Sequence, residues 1–474
     1  MCIRDRYVKD PIVGMHKWVV SFDLNSLYPH LIMQYNISPE TLVDDENHSW
    51  NVKKLMDGEF SEQDNLEETN RTITPNGVYF KTDVKGFLPE IMEKMYDDRV
   101  KVKKKMIIAQ QQMEKTKDTA ERFELYNKIA GYHTKQINLK ISLNSAYGAF
   151  GNQYFRYYDK RLAEAVTLSG QLSIRWIERD LNKYLNELLK PEEHKDYILA
   201  VDTDSVYVSL DDLVKKVFDD DSDTEKVIDF LDKVCEGQIQ KVIDNSYSKL
   251  RKYTSAPTQK MIMKREILAD KGIWTAKKRY ILNVHDTEGV RYEKPKLKIM
   301  GIEAVRSSTP SACREKLKEL FNLIMNTDED TIINFIDGFR KQFKELPAEE
   351  VSFPRQVSDL GKYRDSNSLY TKGTPIHVKG ALIHNKLLTD KKLTRNYPLI
   401  NEGEKIKFSY LKKPNPTGDT VIAMNNTLPK EFGLDKYIDY DMQFEKSFIH
   451  PVKLILDTIG WEVERKSTLE SFFG

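Results

Sequence analysis

DYILAVDTDSVYVSL, residues 196–210, decides the fold. Two apolar, β-prone runs, 196–201 and 205–210, flank the acidic triplet Asp202-Thr203-Asp204. Strands joined by so short a polar link make a hairpin, and this one carries two carboxylates at its tip. Upstream, residues 17–23 read as a buried strand that ends on a third carboxylate, Asp23. A turn and a short helix over 24–35 follow. Ser38-Pro39-Glu40 stops that helix, because Pro cannot donate a hydrogen bond and biases its predecessor away from helix.

Between these strands the pattern turns helical. Ile91, Met92, Met95, Tyr96 and Val100 give residues 89–115 helical periodicity, and 120–149 carries a second long run. Joined near 115–119, they predict a helical hairpin. Residues 162–189 form another helix, while 44–76 is polar and loop-rich. Beyond the acidic hairpin, 280–284, 290–292 and 297–302 read as strands and 310–325 as a helix. Loops such as 413–418 punctuate the rest, and no internal repeat is found.

The 474 residues allow two to four domains and a large core, with 40% apolar residues. No apolar run approaches the ~20 residues of a membrane span, and no apolar secretory core opens the chain, so a soluble, cytoplasmic protein is expected. Cys2, Cys235 and Cys313 lie far apart with no metal-ligand spacing, and their odd count argues against a disulfide framework. Net charge is only +1, but residues 246–300 hold 14 Lys/Arg against 5 Asp/Glu, and five of the seven residues 99–105 are basic. Such stripes can follow a phosphate backbone or can simply be solvated.

Carboxylates delivered by strand ends suit phosphoryl and nucleotidyl transfer. That chemistry uses two divalent cations about 3.5–4 Å apart, and Mg²⁺ takes carboxylate and phosphate oxygen. An isolated Asp-x-Asp is weak support. Here Asp23 stands in SFDLNSLYP (21–29), Asp202 and Asp204 in VDTDS (201–205), and KISLNSAYG (140–148) lies between. These three ordered stretches resemble the D-x-x-S-L-Y-P, K-x-x-x-N-S-x-Y-G and D-T-D-S motifs of family B DNA polymerases, the T-even-like phage branch in particular. The likeness continues through TAKKRY (275–280) and KLKIMG (296–301) and covers nearly the whole chain after residue 11. It departs at His30, where Ser is usual, and at Ala200-Val201, where a Tyr-Gly pair is common.

The resemblance implies an α+β right hand: an antiparallel-sheet palm (1–85 and 153–301), helical-hairpin fingers (86–152) and a mostly helical thumb (302–474). It implies DNA-templated addition of dNTPs to a primer 3′-OH in phage replication, with two Mg²⁺ ions (Mn²⁺ as a substitute). Asp23, Asp204 and the Leu24 carbonyl would hold the metals. Asp202 would be a third carboxylate nearer the primer, and Glu266 a further palm acid or the partner of a neighbouring Lys. Lys140, Asn144 and Tyr147 fall at i, i+4 and i+7, one helix face. That face, with Arg99 and Lys103, would meet the nucleotide, Lys140 also serving catalysis. Backbone amides of Leu24, Asn25, Ser26 and Leu27 could hold phosphate, as helix N-termini do. Tyr28 resembles the steric gate against a ribose 2′-OH. Lys277, Lys278, Arg279 and Tyr280, with Gly148, would hold the primer–template duplex without reading its sequence.

At the end of the chain Leu469, Phe472 and Phe473 lie at i, i+3, i+4 and resemble a sliding-clamp-binding peptide, with Lys466 where Gln is frequent. Family members carry a 3′→5′ exonuclease upstream. Only 22 residues precede Asp23, so no proofreading is expected in this chain, and a separate exonuclease subunit would supply it unless the sequence is a fragment. Two rivals stay open: an RNA-making polymerase, against which Tyr28 argues, and an inactive, partner-dependent scaffold that binds DNA or a clamp.

Overall fold

The structure, a computed structural model, describes residues 6–46, 50–59, 66–219, 222–365 and 368–465. Leu469, Phe472 and Phe473 therefore lie outside the described residues. The chain divides into two compact units. The first comprises the residues up to Ile12 with His16–Gly272 and Leu282–Lys296; the second comprises Val13–Met15, Ile273–Ile281 and the chain from Leu297 onward.

In chain order the elements from β1 to β9 are β1 (Gly14–Leu24), α1 (Leu27–Gln34), β2 (Leu42–Glu46), α2 (Val52–Met56), β3 (Arg71–Ile73), β4 (Val78–Lys81), α3 (Phe87–Lys115), α4 (Thr119–Phe150), α5 (Lys160–Leu189), β5 (Ile198–Asp202), β6 (Ser205–Ser209), α6 (Asp211–Lys215), α7 (Thr224–Val234), α8 (Gln240–Tyr253), β7 (Met263–Ala276), β8 (Arg279–Thr287) and β9 (Val290–Met300). Among the described residues six of these strands form one sheet in the order β5-β6-β1-β7-β8-β9, and β2, β4 and β3 form a smaller one. The expected acidic hairpin is β5–β6, antiparallel, with Asp202 opposite Ser205. Next to it β1 pairs antiparallel with β6 and sets Asp23 opposite Ser205. The register brings the acidic strand end and the acidic turn together.

Behind the sheet α5 buries Leu162, Val166, Leu172, Ile177 and Leu181. Helical spacing aligns these residues on one face, and their burial against the sheet contributes most of the local stability. At Gly170 α5 packs on α1: a Cβ there would make ordinary van der Waals contact, at 3.4 Å, with the Leu27 and Tyr28 side chains.

The helical hairpin is present as α3 and α4. Asp118 caps α4 by accepting from Glu121 N at 2.7 Å. The start of α3 is built from the segment that ends α1. Asn36 Oδ1 accepts from Gly86 N at 2.9 Å, and Glu40 Oε1 accepts from Phe87 N at 2.7 Å. Ser38-Pro39-Glu40 thus stops one helix and anchors the next.

Three sequence expectations need correction. Residues 44–76 include α2, whose Asn51 cap accepts from Lys54 N at 3.1 Å, and β3. Residues 290–300 form one strand where two were read. Pro295 lies inside this strand; β9 is the last strand in the sheet order, and an edge tolerates a residue that cannot donate. The second unit is not simply helical. Phe353–Gln356, Lys405–Tyr410 and Val421–Met424 form an antiparallel sheet. Apolar residues alternate in its central strand, with Ile406 and Phe408 in a core shared with helix Ile376–Asp390. A separate core in that unit gathers Phe321, Phe339, Phe444 and Phe448.

Candidate nucleotidyl-transfer site

Asp23 and Asp204 are brought together by backbone alone. Thr203 takes a left-handed conformation, φ 61°, and Asp204 N donates to Asp202 O at 2.6 Å. The turn is locked to β1 because Leu24 N donates to Asp204 O at 2.8 Å. Burial pushes the Asp23 carboxyl up to about 8, with Asp204 and Glu266 adding to the rise while Lys140 and Lys103 oppose it. Asp204 is also raised, by burial, against the pull of Lys140. Glu266, on β7, accepts from Ser21 Oγ at 3.3 Å. Carboxylates pressed together in a half-buried place disfavour their own ionisation.

This donor set fits a hard divalent cation, which would relieve the repulsion through oxygen ligands. Among the described residues no three His, Cys, Asp or Glu side chains converge as a self-contained metal cage. An ion here would take further ligands from water or a phosphate.

A cavity of about 540 Å³ opens beside Asp23, lined among others by Asn25, Arg99, Lys103, Glu266 and Glu288. Its size suits a small molecule such as a nucleotide. Arg99, expected on a solvated or phosphate-facing stripe, is only 8% exposed, and its Nη1 donates to Ser26 Oγ at 2.7 Å. Burial lowers its pKa; Tyr96, Glu288 and Asp23 counter that. Lys103 pairs with Glu288 at 2.5 Å. His30 is buried, with its Nδ1 3.0 Å from Ser26 O and its ring edge-on to Tyr96 at 4.2 Å. Burial pulls it down to about 4, so it is neutral near pH 7 and acts as a joint between α1 and α3.

Two of the four amides singled out after Asp23 are committed to the protein: Leu24 N as above, and Asn25 N to Ile262 O at 3.0 Å. Ser26 is the left-handed N-cap of α1, φ 47°, and Leu27 is the first residue of that helix. Lys140 and Asn144 are exposed on α4, and Tyr147 is half-buried with its ring 4.5 Å from that of Tyr28, tilted by 42°. A Cβ built on Gly148 meets nothing within 4 Å, so open space lies in front of it. The Arg6 guanidinium lies 5.6 Å from the Tyr28 ring centre. Lys140, Asn144, Tyr147 and Tyr28 are not in the lining of the cavity beside Asp23.

In the second unit, Lys277 and Lys278 are exposed at a tight turn, Lys278 with φ 61°. Arg279 Nη2 donates to Glu303 at 2.9 Å, and Tyr280 is buried against Trp274 with ring centres 5.6 Å apart. Of the four, Lys277 and Lys278 are exposed, Arg279 is half-buried and Tyr280 is buried. Gly301 makes the turn possible: φ is 66°, and a Cβ would fall 2.1 Å from Lys278 O.

Sequence reasoning did not single out Glu288 or the buried cluster that steadies it. Arg265 Nη1 donates to Asp286 at 2.5 Å, and Asp286 also accepts from Gly289 N at 3.0 Å. Asp286-Thr287-Glu288-Gly289 is legible as a turn, but nothing in it states which helix it faces.

A model of DNA polymerase family B matches residues 6–459. The chain is 34% identical to the DNA-directed DNA polymerase of Escherichia phage RB69 across 98% of its own length and 56% of that protein. It is 32% identical to the DNA-directed DNA polymerase of Enterobacteria phage T4, across 99% and 56%. Similarity to DNA polymerase 1 of Pyrococcus abyssi (strain GE5 / Orsay) is 24%, across 97% and 47%. The chain thus spans about half the length of the curated relatives it matches.

Proposed function

The chain belongs to DNA polymerase family B, and from that premise we propose that it carries out template-directed DNA synthesis, adding dNTPs to a primer 3′-OH in phage replication within the host cytoplasm. The observation that carries this is the meeting of Asp23 and Asp204 at paired strand ends, within electrostatic reach of Lys140 and Lys103. Acid and base here stand as an unbalanced set that a metal-bound triphosphate would complete.

Asp23, Asp204 and the Leu24 carbonyl are the proposed ligands. Two Mg²⁺ ions bound there would lower the charge on the attacking and leaving oxygens. Asp202 stands beside the primer end. Arg99, Lys103 and Lys140 neutralise the triphosphate, helped by the amides of Ser26 and Leu27. Asn144 and Tyr147 pack near the nascent base pair. The Tyr28 ring, braced by Tyr147 and by α5 at Gly170, fills the space a ribose 2′-OH requires. Lys277, Lys278 and Arg279 hold the duplex backbone, with Gly148 allowing its close approach. On this assignment 1–85 and 153–301 form the palm, 86–152 the fingers and 302–474 the thumb, whose tail at Leu469, Phe472 and Phe473 would engage a sliding clamp.

Extension of a labelled primer on a defined template, with dNTPs and Mg²⁺, tests the proposal. Products dictated by the template support it. Folded protein that binds the duplex yet leaves the primer unextended rejects it.

A further inference from the structure

The β8–β9 hairpin reaches from the sheet to α3, and it does so at residues that the proposed function assigns to the substrate. Glu288 pairs with Lys103 at 2.5 Å. Gly289 O accepts from Gln111 Nε2 at 3.1 Å, and Lys296 on β9 pairs with Glu114 at 2.9 Å. Lys103, Gln111 and Glu114 share one face of α3 and span about 16 Å of it at 1.5 Å per residue. One hairpin therefore docks along three turns of this helix.

The tip is held firmly on its own side. Glu288 N donates to Glu266 O at 2.7 Å. Asp286, almost fully buried, accepts from Gly289 N, from Arg265 at 2.5 Å and from Arg291 Nε at 3.4 Å. Glu288 itself takes φ 51°, a left-handed conformation in which Asn or Gly sits more easily. Backbone preference does not account for a glutamate there; its carboxylate does have a place to go. It enters the cavity beside Asp23, opposite Lys103, and acts on Arg99 as well.

We propose that Glu288 is a built-in substitute for the nucleotide's triphosphate. It neutralises Lys103 and Arg99 while no nucleotide is bound and is displaced by the triphosphate on entry. This rests on the assignment of Lys103 and Arg99 to the triphosphate. The exchange is one of ion pairs only: Lys103 leaves Glu288 for a phosphate oxygen, and Glu288 passes to solvent. The pair is suited to exchange, because both side chains remain partly exposed, at 25% and 31%. An ion pair of that exposure shifts an equilibrium by roughly two- to fivefold, small against the charge of a triphosphate. Glu288 would thus set nucleotide affinity, and its release would free α3 from the hairpin at its most charged contact.

The test is calorimetric titration of the full chain with inorganic tripolyphosphate, which requires no catalysis. Wild type is compared with Glu288→Gln, Lys103→Ala and the double variant, and Glu288→Asn, at ease with positive φ, repeats the test if Gln perturbs folding. The proposal expects Glu288→Gln to tighten binding by about two- to fivefold, Lys103→Ala to weaken it, and the Glu288 effect to vanish in the Lys103→Ala background. Weaker binding in Lys103→Ala with unchanged or weaker binding in Glu288→Gln overturns the substitute role and leaves the phosphate assignment standing. Unchanged affinity in both Lys103→Ala and Arg99→Ala removes the phosphate assignment, and the role of Glu288 with it.

Discussion

Two hairpin turns of the first unit use one backbone device to opposite ends. At β5–β6, Thr203 takes φ 61° and the turn sets Asp204 beside Asp23, acid against acid. At β8–β9, Glu288 and Gly289 take φ 51° and 81°, and the turn sets Glu288 against Lys103, acid against base. The first arrangement raises both carboxyls, a conflict that the proposed cations would relieve. The second is satisfied as it stands. A carboxylate on a tight turn is therefore not a site by residue type; what lies opposite decides whether it waits for a ligand or holds the fold.

Neutralising the first conflict should have the largest effects. Asp23→Asn should lower nucleotide incorporation by roughly 10³-fold, the scale of losing a main electrostatic contact in a transition state. In chelator it should raise the thermal midpoint, because it removes the buried repulsion. A pH series extends the test. With its pKa raised from 3.8 to about 8, native Asp23 binds more protons than unfolded Asp23 across that window. Stability of the metal-free protein should then fall as pH rises through it, and Asp23→Asn should flatten the slope. A steeper slope in the variant would break the contrast.

Tyr28→Ala probes what sits beside the first turn. Discrimination against ribonucleotides should fall on the order of 10²-fold, read as the ratio of kcat/KM for dNTP and NTP. Unchanged discrimination would remove the gate. Gly301→Ala asks whether a third left-handed turn, at Lys278, depends on its backbone. The variant should lose about 2 kcal/mol of stability in denaturant titration and bind duplex more weakly. The smallest effect belongs to the satisfied turn. Glu288→Gln should lower the thermal stability by under about 1 kcal/mol, opposite in sign to Asp23→Asn. Equal signs would mean that the two turns do not differ electrostatically.

The candidate site was legible because its residues sit in short local patterns. A strand ending on Asp23, a two-strand acidic turn and a helix face at Lys140, Asn144 and Tyr147 each follow from period and spacing. The family motifs then joined them. What was not legible depends on long-range placement. Arg99 counts as one of five bases in a stripe, and only packing reveals it as buried and bonded to Ser26. Glu288 lies 185 residues from Lys103. The continuity of β9 through Pro295 depends on its place at the end of the sheet order, and sequence does not say which strand is an edge. His30, a departure from the family pattern, reads as surface or core with equal ease until Tyr96 and Ser26 O are seen around it.

The central claim is that the paired strand ends at Asp23 and Asp204 form a metal-dependent nucleotidyl-transfer site. The most direct measurement is single-turnover incorporation of one template-matched dNTP with Mg²⁺, by wild type beside Asp204→Asn, with both proteins shown to be folded and to bind the primer–template equally. The account predicts incorporation by wild type and a loss of about 10³-fold or more in the variant. Equal incorporation by the two proteins would contradict it.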